Sequence, residues 1–254
     1  MKNLHNYFIY LLVFVSLLVI GASANKITVF TIGDSTMCLY DTTNAKHQRG
    51  WAQMLPQFFN SDVKIVDAAR GGRSSKSFVK EGLWKKVLEE IKPGDYVFIQ
   101  FAHNDEKKDT AIGTQPWQQY SDYLKLYVEQ TRQKGGIPIL FTPIVRRYFD
   151  STGHITLRGQ HDMLPGDSLG NYPMAMRYVA KGMNVPLIDL TTKTKQLVDS
   201  YGPEKSKELY ITTDKTHPTM LGATEIAKLA IEGLREQKIG LVKYLNPNFQ
   251  LKEN

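Results

Sequence analysis

The chain has a single cysteine, Cys38, so no disulfide can close within it and the core alone has to hold the fold. It carries no internal repeat, no low-complexity tract and no composition shift that would mark an interdomain linker. Thirty-two Lys and Arg against 25 Asp and Glu give a net charge of +7. The basic residues are scattered, however, and no nucleic-acid motif accompanies them, so nucleic acid is not an expected partner and solubility accounts for the excess. Only one apolar run is long, Phe8 to Ile20, and it falls short of the ~20 residues that a membrane span needs.

That run reads instead as part of an export signal. Lys2 supplies a positive start, and Ala22-Ser23-Ala24 has the small-x-small pattern of a cleavage site. No cysteine stands beside that site to accept a lipid. The expected organisation is a signal peptide over 1–24 and one domain over 25–254, within the size range of a single α/β unit. The expected product is an exported monomer, periplasmic or secreted, without a stable membrane span.

Apolar runs then alternate with amphipathic stretches. Ile27 to Ile32, Val63 to Ala68, Tyr96 to Ala102, Ile137 to Phe141 and Val185 to Leu190 read as strands. Between them, Trp51–Phe59, Ser77–Ile91, Pro116–Gln133, Tyr172–Met183, Thr192–Tyr201 and Thr219–Glu236 read as helices. Thr142 to Gly170 reads as a long surface loop. About five alternations predict an α/β fold with a parallel sheet covered by helices on both faces. In such sheets ligands bind at the carboxyl ends of the strands.

The polar residues at those ends match one chemistry. Acyl transfer needs a hydroxyl, a base, a group that orients the base, and donors for the developing oxyanion. Ser35 follows the first strand, Gly72 the second and Asn104 the third, while Asp214-x-x-His217 precedes the last helix. Ser35 is the candidate nucleophile, His217 the base and Asp214 its orienting partner. Gly72 offers an unobstructed backbone amide and Asn104 a side-chain amide. Each also has a structural reading: Gly33-Asp34-Ser35 and Gly71-Gly72 as tight turns, Asn104-Asp105 as a cap, and Asp214 with Pro218 as a helix start.

Gly33-Asp34-Ser35-Thr36, Gly72-Arg73-Ser74, Phe101-Ala102-His103-Asn104-Asp105 and Asp214-Lys215-Thr216-His217 resemble, in order, the four blocks of the SGNH (GDSL-type) hydrolases. More narrowly they are similar to the rhamnogalacturonan acetylesterase branch. The resemblance implies a three-layer, flavodoxin-like sandwich with a five-stranded parallel sheet and a catalytic triad of Ser35, Asp214 and His217. It implies an oxyanion hole from the Ser35 and Gly72 amides with the Asn104 side chain, and no metal or other cofactor. It also implies deacetylation of a pectic polysaccharide. Two departures are visible. Ala102 stands where the family has glycine, which predicts a slight change in how closely substrate approaches, and there is no Gly-x-Ser-x-Gly elbow, which argues against the α/β-hydrolase fold.

Arg73, Arg146, Arg147 and Arg158 are candidates to meet substrate carboxylates, with Arg146 and Arg147 selecting an acidic glycan. Trp117 and Tyr148 are candidates to stack on sugar rings. Other readings are an esterase for acetylated xylan or another acyl ester, a non-catalytic carbohydrate-binding protein on the same fold, and attachment to an anionic cell surface through the net charge.

Overall fold

Five short runs rich in β-branched and aromatic residues pair side by side in a computed structural model that describes residues 26–43, 46–162, 171–212 and 214–247. The signal read over 1–24 lies outside those residues. Strands β1 (Ile27–Gly33), β2 (Val63–Asp67), β3 (Tyr96–Gln100), β4 (Ile137–Phe141) and β5 (Leu187–Ile188) form one parallel sheet in the order β2-β1-β3-β4-β5. The chain reverses its direction of travel between β1 and β3, and such a switch point opens a crevice at the carboxyl ends of the strands. Ser35 and Asn104 lie just beyond those two ends.

Alternation along each strand sends neighbouring side chains to opposite faces. Val29, Phe98, Ile139, Phe141 and Ile188 pack beneath the 3-10 helix Trp51–Phe58 and helix α6 (Met220–Glu236). Phe30, Ile32, Val97, Ile99 and Leu140 pack beneath α1 (Ser75–Lys80), α2 (Leu83–Glu90), α3 (Ser121–Gln133) and α4 (Tyr172–Met183). The result is the expected three-layer α/β sandwich. Every residue of β3 is buried, as a central parallel strand requires.

Several boundaries differ from the sequence reading, each for a local reason. The helix expected over Ser77–Ile91 is two helices, because Gly82 adopts a left-handed φ of 73° between them. The fifth strand is only two residues long. Pro186 brings no donor to it, and Asp189 turns away to cap α5 (Leu190–Lys205), accepting from Thr192 N at 3.1 Å. The segment from Thr142 to Gly170 is not simply a surface loop. Its first residues, Thr142 to Val145, are buried, and Val145 joins Ile155, Val198, Leu209 and Tyr210 in a satellite core under α5. Residues 163–170 lie outside the described residues.

One buried acid sits at the carboxyl end of β2. Asp67 Oδ1 accepts from Thr31 Oγ1 at 2.9 Å and from Ala69 N at 3.1 Å, while Oδ2 is buried with no partner among the described residues. Burial pushes this carboxyl up to about 7, against the lowering effect of its two hydrogen bonds and Arg70. Between about pH 4 and pH 7 the folded chain therefore holds a proton here that the unfolded chain has lost. Its contribution to stability is full below the unfolded value and fades as pH rises to about 7. Asp67→Asn, which stays neutral, should gain Tm relative to the unsubstituted chain from pH 5 to pH 7 and hold that gain above. Two melting curves that stay parallel across the range would contradict a protonated Asp67.

Candidate active site

The turn after β1 is closed on every side but one. A Cβ on Gly33 would sit 2.5 Å from Gln100 O and 2.8 Å from Met37 Sδ, so only glycine lets the two strand ends approach this closely. Asp34 is fully buried: Oδ1 accepts from Thr36 N at 2.9 Å and Thr36 Oγ1 at 2.8 Å, and Oδ2 lies 3.2 Å from His103 Nδ1. Thr36 Oγ1 in turn accepts from Gln100 Nε2 at 2.8 Å, and Gln100 Oε1 from Trp51 Nε1 at 2.7 Å. Burial would raise the Asp34 carboxyl, but His103 and the Thr36 bonds outweigh it and hold the group at about 2. Burial pushes His103 down to about 4, so at neutral pH its Nδ1–H is assigned as donor to the Asp34 anion. Ser35, between these anchored neighbours, is half-buried, with its carbonyl accepting from Tyr40 Oη at 2.8 Å.

Its hydroxyl meets the far end of the chain. His217 Nε2 lies 2.9 Å from Ser35 Oγ, and His217 Nδ1 lies 2.5 Å from Asp214 Oδ2. Asp214 Oδ1 also accepts from Thr216 N at 2.5 Å and His217 N at 2.9 Å. Burial would raise this carboxyl too, but the bonds to His217 and Thr216 hold it below the usual range. It therefore stays anionic behind the imidazole. The alternative role for Asp214, starting the last helix, is taken by Thr219, whose Oγ1 accepts from Gly222 N at 3.2 Å.

The turn that carries Gly72 lies beside Ser35, a Cβ on Gly71 falling 3.7 Å from Ser35 Cβ, and Asn104 is joined to the same turn through Arg73 O. Gly72 has a left-handed φ of 81°, yet a Cβ there would meet nothing within 4 Å, so its glycine is required by conformation and not by space. Asn104 is 5% exposed and donates from Nδ2 to Arg73 O at 3.0 Å, which leaves its second N–H uncommitted. Among the described residues the backbone N–H groups of Ser35 and Gly72 have no acceptor. Asp105 does have the structural role open to it: it accepts from Ser75 N at 3.1 Å and Ser75 Oγ at 2.5 Å and anchors the start of α1.

Ala102 corrects the expectation placed on it. Its methyl is buried and does not face a substrate, but its φ of 153° belongs to backbone that favours glycine. The departure from the family pattern costs backbone strain rather than access.

Arg146 and Arg147 are also corrected. The Arg146 side chain is 13% exposed, ion-paired to Glu106, 3.1 Å from His161 Nδ1 and donating to His103 O at 3.2 Å. His161, itself buried, packs edge-on against His103 with ring centroids 4.3 Å apart. Arg146 thus supports the segment that carries Asn104. Arg147 donates to Pro203 O at 2.8 Å, and its backbone N–H holds Lys215 O at 2.7 Å, inside the Asp214–His217 segment. The Arg146 guanidinium is therefore engaged inside the fold, and the partly exposed Arg147 guanidinium is held at the Pro203 carbonyl. Arg73 is half-exposed and paired to Glu81 at 2.9 Å, and Arg158 is exposed. Trp117 is 51% exposed against Tyr178, while Tyr148 lies under Lys215 Nζ, 5.8 Å from its ring centroid. Sequence reading missed the Glu106–Arg146–His161 cluster, since nothing local links residues so far apart. Among the described residues no group of three His, Cys, Asp or Glu is arranged to hold a metal ion.

A parallel sheet in the order 2-1-3-4-5, with Ser, Gly and Asn blocks on three strand ends and Asp-x-x-His before the last helix, is the architecture of an SGNH hydrolase. Residues 31–224 match the GDSL-like lipase/acylhydrolase family, and the chain belongs to it. A Bacillus subtilis rhamnogalacturonan acetylesterase is 39% identical over 86% of this chain and 94% of its own. A probable rhamnogalacturonan acetylesterase of the same organism is 34% identical over 85% and 95%. The crystal structure of a further Bacillus subtilis protein superposes with a TM-score of 0.73 at 30% identity, covering 85% of this chain and 58% of that one. The chain is an esterase.

The different surroundings of the arginines can be measured. Arg146→Ala strands Glu106 and His161 in a largely buried place and should cost about 3 kcal/mol in urea unfolding. Arg73→Ala breaks an exposed pair and should cost under about 1 kcal/mol. Equal losses would contradict the buried cluster.

Proposed function

We propose that the chain is a serine esterase that removes acetyl groups from a rhamnogalacturonan-type pectic polysaccharide through an acetyl-serine intermediate. The observation that carries the reading is the 2.9 Å approach of His217 Nε2 to Ser35 Oγ, with Asp214 bonded behind the ring. The names of the two relatives described above support the substrate class.

Each residue then has one task. His217 takes the Ser35 proton as Oγ attacks the acetyl carbonyl, and the Asp214 carboxylate stabilises the imidazolium and holds its tautomer. The developing oxyanion is met by the free amides of Ser35 and Gly72 and the uncommitted N–H of Asn104. The imidazolium returns the proton to the departing sugar hydroxyl. Water, activated by His217, then hydrolyses the acetyl-serine and frees acetate. The signal read from Lys2 to Ala24 supports export of the mature domain, and no helix among the described residues is long and apolar enough to cross a membrane.

Acetate release from acetylated rhamnogalacturonan oligosaccharides, acetylated xylooligosaccharides and an aryl acetate tests the reading. The first should give the highest kcat/KM, and Ser35→Ala should abolish turnover on all three while keeping oligosaccharide affinity. Preference for xylan would replace the substrate, and a Ser35→Ala variant with full turnover would remove the mechanism. Asn104→Ala should lower kcat about a hundred- to a thousandfold.

A further inference from the structure

Arg73, Arg146 and Arg147 are engaged by other groups of the protein, whereas three lysines gather at one cavity. A cavity of about 370 Å³ is lined by Lys76, Lys107, Lys108, Thr110, Thr114 and Gln115, with Gly113 and Gln119 completing it. Its charged lining is entirely positive. Of the two acids nearest in the chain, Glu106 is paired to Arg146 and His161, and Asp109 is exposed, its Oδ1 accepting from Ala111 N at 2.9 Å. Among the described residues none of the three lysines has an ion-pair partner. Lys76 is only 7% exposed, and its ammonium donates to Thr110 O at 2.5 Å and Gly113 O at 2.6 Å. Those bonds fix the loop and leave one ammonium N–H over. Lys107 and Lys108, also in the lining, are exposed.

Position ties the cavity to the reacting serine. Lys107 N donates to Asn104 O at 3.2 Å, closing a turn directly after Asn104. The two Cα atoms of such a turn lie within about 7 Å. Lys76 stands on α1, four residues after Gly72. Both walls are therefore continuations of the segments that carry Gly72 and Asn104. Cations paired with hydroxyl and amide groups suit a polyhydroxylated anion and not a lipid chain, which needs an apolar groove.

We propose that this cavity binds a carboxylate-bearing sugar residue of the substrate, with Lys107 and Lys108 as the cations that recognise it and Lys76 as the buried anchor that shapes the wall. The proposal rests on the polysaccharide esterase reading above and names a subsite for it. Because Lys107 and Lys108 are exposed, replacing them leaves the packing of the loop intact.

The experiment has a binding arm and a turnover arm. An unacetylated oligogalacturonate titrated calorimetrically into the full chain should bind, and Lys107→Gln/Lys108→Gln should weaken it roughly tenfold. Added salt should narrow the difference between the two proteins. In turnover, the ratio of kcat/KM for an acetylated galacturonate-containing oligosaccharide to that for acetylated xylooligosaccharide should fall by a similar factor. Lys107→Glu/Lys108→Glu should lower the ratio further. Unchanged oligogalacturonate affinity in both variants would overturn the subsite, as would inorganic phosphate competing with the oligosaccharide at equal concentration, which marks a bare anion site. Failure of the esterase reading looks different, since the unsubstituted chain would then release no acetate from any ester while the binding arm still reports on the lysines.

Discussion

A buried carboxylate is the constraint from which the site is built. Asp34 has no solvent, and a charge in that position persists only if its oxygens are met by donors. Thr36 supplies two and His103 a third, so the carboxylate ties the turn after β1 to the segment after β3. Thr36 is locked to Gln100 at the end of β3, and Gln100 to Trp51 on the opposite helix. Once those bonds form, the residue between Asp34 and Thr36 has one direction left for its side chain. Ser35 is held between these fixed neighbours and by Tyr40 at its carbonyl, with its Oγ 2.9 Å from His217 Nε2.

The remaining loops are registered to that turn by a few charged clusters. His103 touches Asp34 on one side and His161 on the other, and His161 is shared with Glu106 and Arg146. The neighbouring dipeptide Arg146-Arg147 then holds two segments at once: the Arg146 side chain reaches the carbonyl of His103, and the Arg147 amide reaches the carbonyl of Lys215. The segments of Asn104 and His217 are thus referred to the same short stretch after β4. Such buried polar clusters are costly where a group goes unmet, and among the described residues His103 Nε2 and Arg147 Nε are buried without a partner.

Much of this was legible in the sequence. The alternation of apolar runs with amphipathic helices identified the parallel sheet, and three strand-end blocks with Asp214-x-x-His217 identified residues that the structure brings to one edge. What escaped was whatever depends on long-range pairing or one backbone angle. Gly82 breaks a helical pattern that its neighbours would continue, and Ala102 hides a glycine-like conformation behind an ordinary residue. Arg146 and Arg147 looked like loop cations, because a sequence shows charge and does not show that Glu106, forty positions earlier, is waiting to neutralise it. The lysines at 107 and 108 drew no notice, since an exposed pair is the commonest setting for lysine and only the cavity beside them gives them a task.

In the proposed mechanism the Ser35 hydroxyl, and no other, is the nucleophile. A fluorophosphonate that reacts with activated serines, followed by peptide mapping and residual acetate release, tests it most directly. One adduct per chain is expected, on Ser35, with activity lost in proportion to labelling. An adduct on a different residue, or full acetate release from chains labelled at Ser35, would contradict it.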